Sequence, residues 1–197
     1  MKVILASGSP RRRSLITQLA EQLHFDYEIL PNDFDEGPLK EQIHDPTELV
    51  KELSLAKAQA TYDQLPDPTN TIVIGADLVV SIGDQILGKP NDPVDAHRML
   101  RTLSGTNHQV ISGLACIINL EGVVTVETTV TPIDVYFREL NDDEITEYIA
   151  TGEPLDKAGA YAIQGGAKKF IDRYEGDYTA VVGLDLTKLT DILTKYL

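Results

Sequence analysis

The feature that most constrains this chain is its opening, MKVILASGSPRRRSLITQLAEQL. Lys2 to Ala6 reads as a buried strand, and the segment after it as a helix with apolar positions at Leu15, Ile16, Leu19 and Leu23. Between them lies Ser7-Gly8-Ser9-Pro10, in which Ser9 suits the helix N-cap and Pro10 the first helical position. The fold must therefore hold a buried strand that turns directly into a helix, with three arginines in the helix's first turn.

Composition limits what such a turn can serve. The chain carries 17 Lys and Arg against 31 Asp and Glu, a net charge of −14, and such a field repels DNA, RNA and anionic lipid. Neither a nucleic acid nor a membrane is an expected partner. Any phosphate site must then be a local concentration of positive charge, and Arg11, Arg12 and Arg13 supply one. Free backbone N–H groups and the positive helix end attract an anion there, and small residues let it approach the main chain. An ordinary strand-to-helix turn with solvated arginines fits the same residues, so the stretch alone leaves both open. We expect Arg12 and Arg13 to be exposed.

At 197 residues and 42% hydrophobic composition, the chain can bury a sizeable core as a single domain over 1–197, or as two closely packed lobes. Its one cysteine, Cys116 in LACIIN, excludes an intramolecular disulfide framework and a cysteine-based zinc site, and reads as a buried strand thiol. No apolar run approaches the ~18 residues of a bilayer span and the N-terminus lacks the apolar core of a secretion signal. A soluble cytoplasmic protein is the expectation.

Downstream, Phe25 to Leu30 is a second candidate strand, followed by the acidic loop PNDFDEGP. Pro46 to Leu65 resembles a helix that begins near Asp45 or Thr47, with Leu49, Leu53, Ala56 and Ala60 on one face, and PDPTN breaks it. In TIVIGADLVVSIGDQILGKP two β-rich runs flank Gly83-Asp84, a hairpin signal. Pro93 to Leu103 is expected to be helical. HQVISGLACIINL and GVVTVETTVTPIDVYF read as long antiparallel strands, and NDDEITEYIATG as a helix opening on a capping-box-like Asn141 with Glu144 and stopping at Gly152. A Gly-rich region and the helix TKLTDILTKYL complete the chain. The fold class expected is α/β, a mixed twisted sheet with flanking helices.

Four segments could carry chemistry. The Ser7 to Arg13 turn is the first. The second, Gly83 to Lys89, nearly spells a phosphate loop, but Pro90 stands where a Ser or Thr would hold magnesium and the stretch follows a hairpin turn, so it is a decoy. Lys89 could still meet phosphate as a simple cation. Third, Asp77 directly follows the strand TIVIGA and precedes Leu78-Val79-Val80, so a charged side chain interrupts an apolar run. Burying an ionised carboxylate calls for a metal or a cation beside it; a turn aspartate after Gly75-Ala76 is the alternative. Glu36, in DFDEG, could be a second acidic ligand. Last, the small residues and Gln164 in the segment from Glu153 to Gly166 suggest a backbone closing on a ligand, with an amide able to read a donor and an acceptor on a base edge; Gly-rich turns also serve purely structural ends.

Together, LASGSPRRRSLI, IGADLVVSIGDQILGKPND, MLRTLSGTNHQVISG, YFREL, GEPLDKAGAYAIQGGAKKFI and GDYTAVVGLDL resemble the Maf family of nucleotide pyrophosphatases over nearly the whole chain in order. The resemblance implies an inosine-triphosphatase-like α/β body, often dimeric, with two lobes around a cleft that takes the substrate. It implies hydrolysis of dTTP or UTP to monophosphate and pyrophosphate with a divalent cation, Mg2+ or Mn2+. The family's general base falls on Asp77, and its phosphate and metal environment on Ser7, Arg12, Arg13, Glu36, Lys57 and Lys89, with Glu36 and Asp77 at the metal. Lys57 follows from a looser match, LAKAQA. Base choice falls on Arg11, Leu78 and Gln164. Arg11 and Gln164 match the dTTP/UTP branch, whereas Leu78 replaces its usual Thr and loses a hydroxyl beside the base.

A non-catalytic nucleotide-binding regulator of cell division, acting through protein contacts, is the alternative from a different class. Asp77 speaks against it, since a carboxylate beside phosphates adds repulsion unless a metal or catalysis requires it. A P-loop kinase or ATPase fails on Pro90.

Overall fold

The computed structural model describes residues 1–197. Seven strands form one mixed sheet in the order β2-β1-β3-β5-β6-β7, with β4 paired to β3. The strands are β1 (Lys2–Leu5), β2 (Tyr27–Ile29), β3 (Thr71–Ile82), β4 (Gln85–Leu87), β5 (Asn107–Leu120), β6 (Val123–Phe137) and β7 (Ile171–Glu175). β1 runs parallel to β2 and β3, while β4 is antiparallel to β3 and β7 to β6. This is the mixed α/β sheet the sequence predicts. The chain divides into two compact units, one of Met1–Asp77, Ser112–Thr131 and Asp177–Leu197, the other of Leu78–Ile111 and Pro132–Gly176.

In the first unit, β1 buries Val3, Ile4 and Leu5, and α1 (Pro10–Leu23) buries Leu15, Ile16, Leu19 and Ala20. Ser9 occupies the N-cap position and Pro10 the first turn, as expected, but the Ser9 side chain makes no capping bond. A short helix, α2 (Gly37–Gln42), lies just beyond the acidic loop, where none is predicted. Next comes α3 (Pro46–Tyr62), capped by Asp45, whose side chain accepts from Glu48 N–H. Its buried face carries Leu49, Val50, Leu53, Ser54, Ala58 and Thr61, with Ala56 and Ala60 only half-buried, so the face is rotated from the predicted one. Two glycines explain the rotation. A Cβ on Gly75 would lie 2.1 Å from the Ser54 carbonyl oxygen, and one on Gly113 would lie 2.4 Å from that of Val50. The helix backbone rests directly on β3 and β5, and close approach decides its facing where apolar spacing does not.

β3 runs without a break through Asp77 to Ile82, its first half paired with β1 and its last residues with β4, so Asp77 is a strand residue and the turn-aspartate alternative does not hold. Gly75 is a packing glycine within a strand. The first unit closes with α6 (Tyr178–Val182), not predicted, and α7 (Leu186–Leu193), capped by Asp185.

In the second unit, Gly83-Asp84 forms the β3–β4 turn, with Gly83 at φ +54°. α4 (Pro93–Leu103) has its predicted bounds, and α5 (Asp142–Ala150) opens on the predicted Asn141–Glu144 capping box. The Gly-rich region winds through three short 3-10 turns, Glu153–Asp156, Ala158–Ala160 and Gly166–Phe170. Its core is aromatic: Phe137 packs edge-on against His108 and Tyr161, and Tyr148 against Phe170. His108 is buried there with Nε2 2.6 Å from the Tyr161 hydroxyl. Burial pushes it down to about 4, so it is neutral near pH 7.

Cys116 is a buried free thiol whose pKa burial pushes up. No helix is long and apolar enough to cross a membrane.

Candidate active site

The turn after β1 supplies the first part of a charged cluster in the first unit. Pro10 has no N–H and Arg13 N bonds back to Ser9 O at 3.0 Å, so the free main-chain donors of the helix start are those of Arg11 and Arg12. Ser7 is buried, and its Oγ accepts from Ser9 N–H at 3.2 Å and from Arg12 Nη1 at 3.4 Å. Arg12 departs from its expected exposure. Its side chain is 14% exposed, because Nε donates to the Gly183 carbonyl at 2.8 Å and the guanidinium lies along the end of α6. Burial lowers the pKa of Arg12, with Asp77 opposing, yet a guanidinium stays charged. Arg13 is exposed as predicted, and Arg11 is half-buried.

Asp77 is held from two sides. Lys57 Nζ donates to its Oδ1 at 2.6 Å, and Arg12 Nη2 stands 4.0 Å from the same oxygen. Lys57 reaches Asp77 because α3 sits directly over Gly75, two residues earlier on β3. The ammonium is shared: Glu36 Oε1 lies 2.7 Å from Lys57 Nζ, while Glu36 Oε2 pairs with Lys40 Nζ at 2.6 Å. Partial burial would raise the Glu36 pKa, but hydrogen bonds and charge from Lys40 and Lys57 outweigh it and hold the carboxyl at about 2. The result is an alternating chain, Lys40, Glu36, Lys57, Asp77 and Arg12, ending at the anion-attracting turn.

Three supports of this cluster escape the sequence reading. Asn32 anchors the acidic loop to α3, donating from Nδ2 to Lys57 O at 2.9 Å and to Thr61 Oγ1 at 2.8 Å, which brings Glu36 to Lys57. Gly183 orients Arg12, and Lys40 completes the coordination of Glu36. For Asn32 and Gly183 only pairing partners distant in sequence reveal the part, whereas Lys40 is an i,i+4 partner of Glu36 whose local spacing is a usable signal.

The remaining predicted residues belong to the second unit. Leu78 is half-buried on β3, and Lys89 is exposed after β4 and does not open a helix, the next one starting at Pro93. Gln164 is exposed on a loop between the buried Ile163 and Ala167.

As a cation site, the cluster offers two carboxylates that already converge on one positive charge. No group of three or more His, Cys, Asp or Glu side chains is placed to hold a metal. The two carboxylates suit Mg2+, which takes one or two carboxylates and completes its shell with water and substrate phosphates.

Comparison with known proteins agrees with the sequence resemblance. A dTTP/UTP pyrophosphatase of Alkaliphilus metalliredigens (strain QYMF) is 41% identical over 195 residues, 99% of this chain and 96% of that protein. One from Geobacillus sp. (strain WCH70) is 45% identical over 190 residues, 95% and 94% of the two chains. Among solved structures, a nucleoside-triphosphatase / dITP/XTP pyrophosphatase from Mycobacterium abscessus superposes with a TM-score of 0.43 at 14% identity, over 70% of this chain and 73% of that one, a likeness too distant to argue from. The family described as Maf-like protein matches residues 2–196, and the chain belongs to it.

Proposed function

We propose that this protein hydrolyses the α,β-phosphoanhydride of dTTP or UTP, releasing the nucleoside monophosphate and pyrophosphate. The observation that carries this is Asp77, a buried carboxylate whose Oδ1 accepts from Lys57 and is faced by Arg12. Such a carboxylate is oriented and ready to accept a proton, and it stands beside cations suited to phosphates. The near full-length relatives named dTTP/UTP pyrophosphatase support the choice of reaction and base.

A water oxygen attacks the α-phosphorus, the bond from that phosphorus to the bridging oxygen breaks, and the water's proton passes to Asp77 Oδ2. Arg12, Ser7 and the free N–H groups of the α1 start bind the polyphosphate and offset the charge that develops on the leaving pyrophosphate. Lys57 orients Asp77. Glu36 and Asp77 would hold a divalent cation, Mg2+ or Mn2+, which when bound neutralises phosphate charge and polarises the attacked group. For Lys89 and Arg13 we infer phosphate binding, and for Arg11, Leu78 and Gln164 a part in choosing the base.

The test is product analysis. With dTTP or UTP and Mg2+, monophosphate and pyrophosphate should appear in equal amounts; diphosphate with orthophosphate as main products would overturn the assignment of the attacked phosphorus.

A further inference from the structure

The loop carrying Gln164 is held by a device that the proposed chemistry does not use. Glu153, at the start of the first 3-10 turn, points its carboxylate into that loop. Its Oε2 accepts from Gly166 N–H at 3.1 Å, and its Oε1 accepts from the hydroxyl of the buried Tyr148 at 3.1 Å. The fit leaves no space for side chains. A Cβ on Gly165 would lie 2.4 Å from Glu153 Oε1, and one on Gly166 would lie 3.0 Å from the Tyr148 ring. Gly165 stands at φ +100° and ψ −150°, a conformation essentially restricted to glycine.

The other end of the loop is tied as well, since Tyr161 is buried with its hydroxyl on His108. Between the two ties Ile163 and Ala167 point into the core, and Gln164 alone projects outward. Tyr148 packs edge-on against Phe170 with ring centroids 5.2 Å apart, which fixes the hydroxyl that Glu153 receives. A side chain on a backbone fixed on both sides starts from a defined Cα position and direction, so only its own rotamers remain to be ordered when a base arrives.

We propose that Glu153 is a positioning residue for base choice: by accepting from Gly166 and Tyr148 it fixes the direction in which Gln164 presents its amide. This rests on the reading that Gln164 takes part in selecting the base. Glu153 need not touch the nucleotide.

The test compares Glu153→Gln with Gln164→Ala, using kcat/KM for UTP against GTP and amide hydrogen exchange at Gly166. Replacing the carboxylate by an amide leaves one good acceptor for two donors. The preference for UTP should then fall about tenfold, chiefly through KM for UTP, and Gly166 exchange should accelerate. Gln164→Ala should lower the same preference without accelerating that exchange. Should Gln164→Ala erode the preference while Glu153→Gln leaves it intact, Glu153 has only a structural part and the proposal fails. If instead Gln164→Ala itself leaves the preference unchanged, the assignment of Gln164 is what fails, and the proposal falls with it. Tyr148→Phe, which keeps the ring and removes one donor, serves if Glu153→Gln does not fold. It should lower the preference about threefold, and an unchanged preference there would equally overturn the proposal.

Discussion

The cluster around Asp77 and the loop around Gln164 are both polar, but they are held by opposite means. Asp77, Glu36, Lys57 and Arg12 hold one another by charge, on elements brought together by glycine and asparagine contacts remote in sequence. Gln164 is held through its backbone, by glycines, one carboxylate and an aromatic core with a neutral histidine. A centre that stabilises a polyanion needs fixed charges of both signs, so that each buried ion has a partner before substrate arrives. A loop proposed to read a base needs only direction. The two regions should therefore fail differently.

The largest effect should come from breaking the close approach on which the charged cluster depends. Gly75→Val places methyl groups against the backbone of Ser54 and Ala58, neither of which can yield without moving α3. We expect a loss of about 3 kcal/mol or more in chemical denaturation, or failure to fold; a variant of normal stability would show that α3 does not rest on β3 as described.

Next is a pH effect belonging to the aromatic region. The folded pKa of His108, about 4, lies below its ordinary 6.5, so the unfolded state binds the proton more readily. Stability should fall as pH drops from about 6.5 to about 4, by about 3 kcal/mol from this group. Comparing the pH dependence of unfolding free energy with that of His108→Gln isolates it, because Glu36 and Glu144, both held at about 2, lose their stabilisation only as pH falls below the ordinary carboxylate range. Equal slopes between pH 6.5 and 5 would contradict a buried neutral histidine.

These two effects mark what the sequence discloses. Helix α4 and the Asn141 capping box are legible because their signals are local: a proline at the first turn, an asparagine with a glutamate three residues on. The Ser7 to Arg13 turn is legible for the same reason. Gly75 is not, since a glycine before an aspartate looks like a turn until α3 is known to lie over it. Asn32 and Gly183 are invisible for a related cause, as each acts on a residue through folding of the whole unit, whereas the Lys40–Glu36 pair is local. The rotated face of α3 belongs with them, because backbone contact overrides apolar spacing.

Arginines test the comparison more gently. Arg12→Ala removes a buried hydrogen bond to Gly183 and a charge facing Asp77, and should cost about 1.5–3 kcal/mol of stability as well as triphosphate affinity. Arg13→Ala should change stability by no more than about 0.5 kcal/mol while still reducing the salt dependence of binding. Thermal melts and titration calorimetry on both check this, and equal stability losses would contradict the difference in their burial. Comparably small is the effect of Lys40→Met. Its half-exposed pair with Glu36 should be worth less than about 1 kcal/mol, and its removal should raise the Glu36 pKa, read by NMR titration. A fixed Glu36 pKa would remove Lys40 from the chain of charges.

The central claim is that Asp77 performs the chemistry and is not merely a paired carboxylate, and Asp77→Asn tests it most directly. The amide keeps the shape and loses the charge. Steady-state turnover of UTP with Mg2+ and calorimetric binding of UTP without metal should be measured on the same folded variant. Turnover should fall about a hundredfold or more, while metal-free affinity holds or improves because a repulsive charge has gone. Near-normal turnover in a folded Asp77→Asn variant would contradict the account.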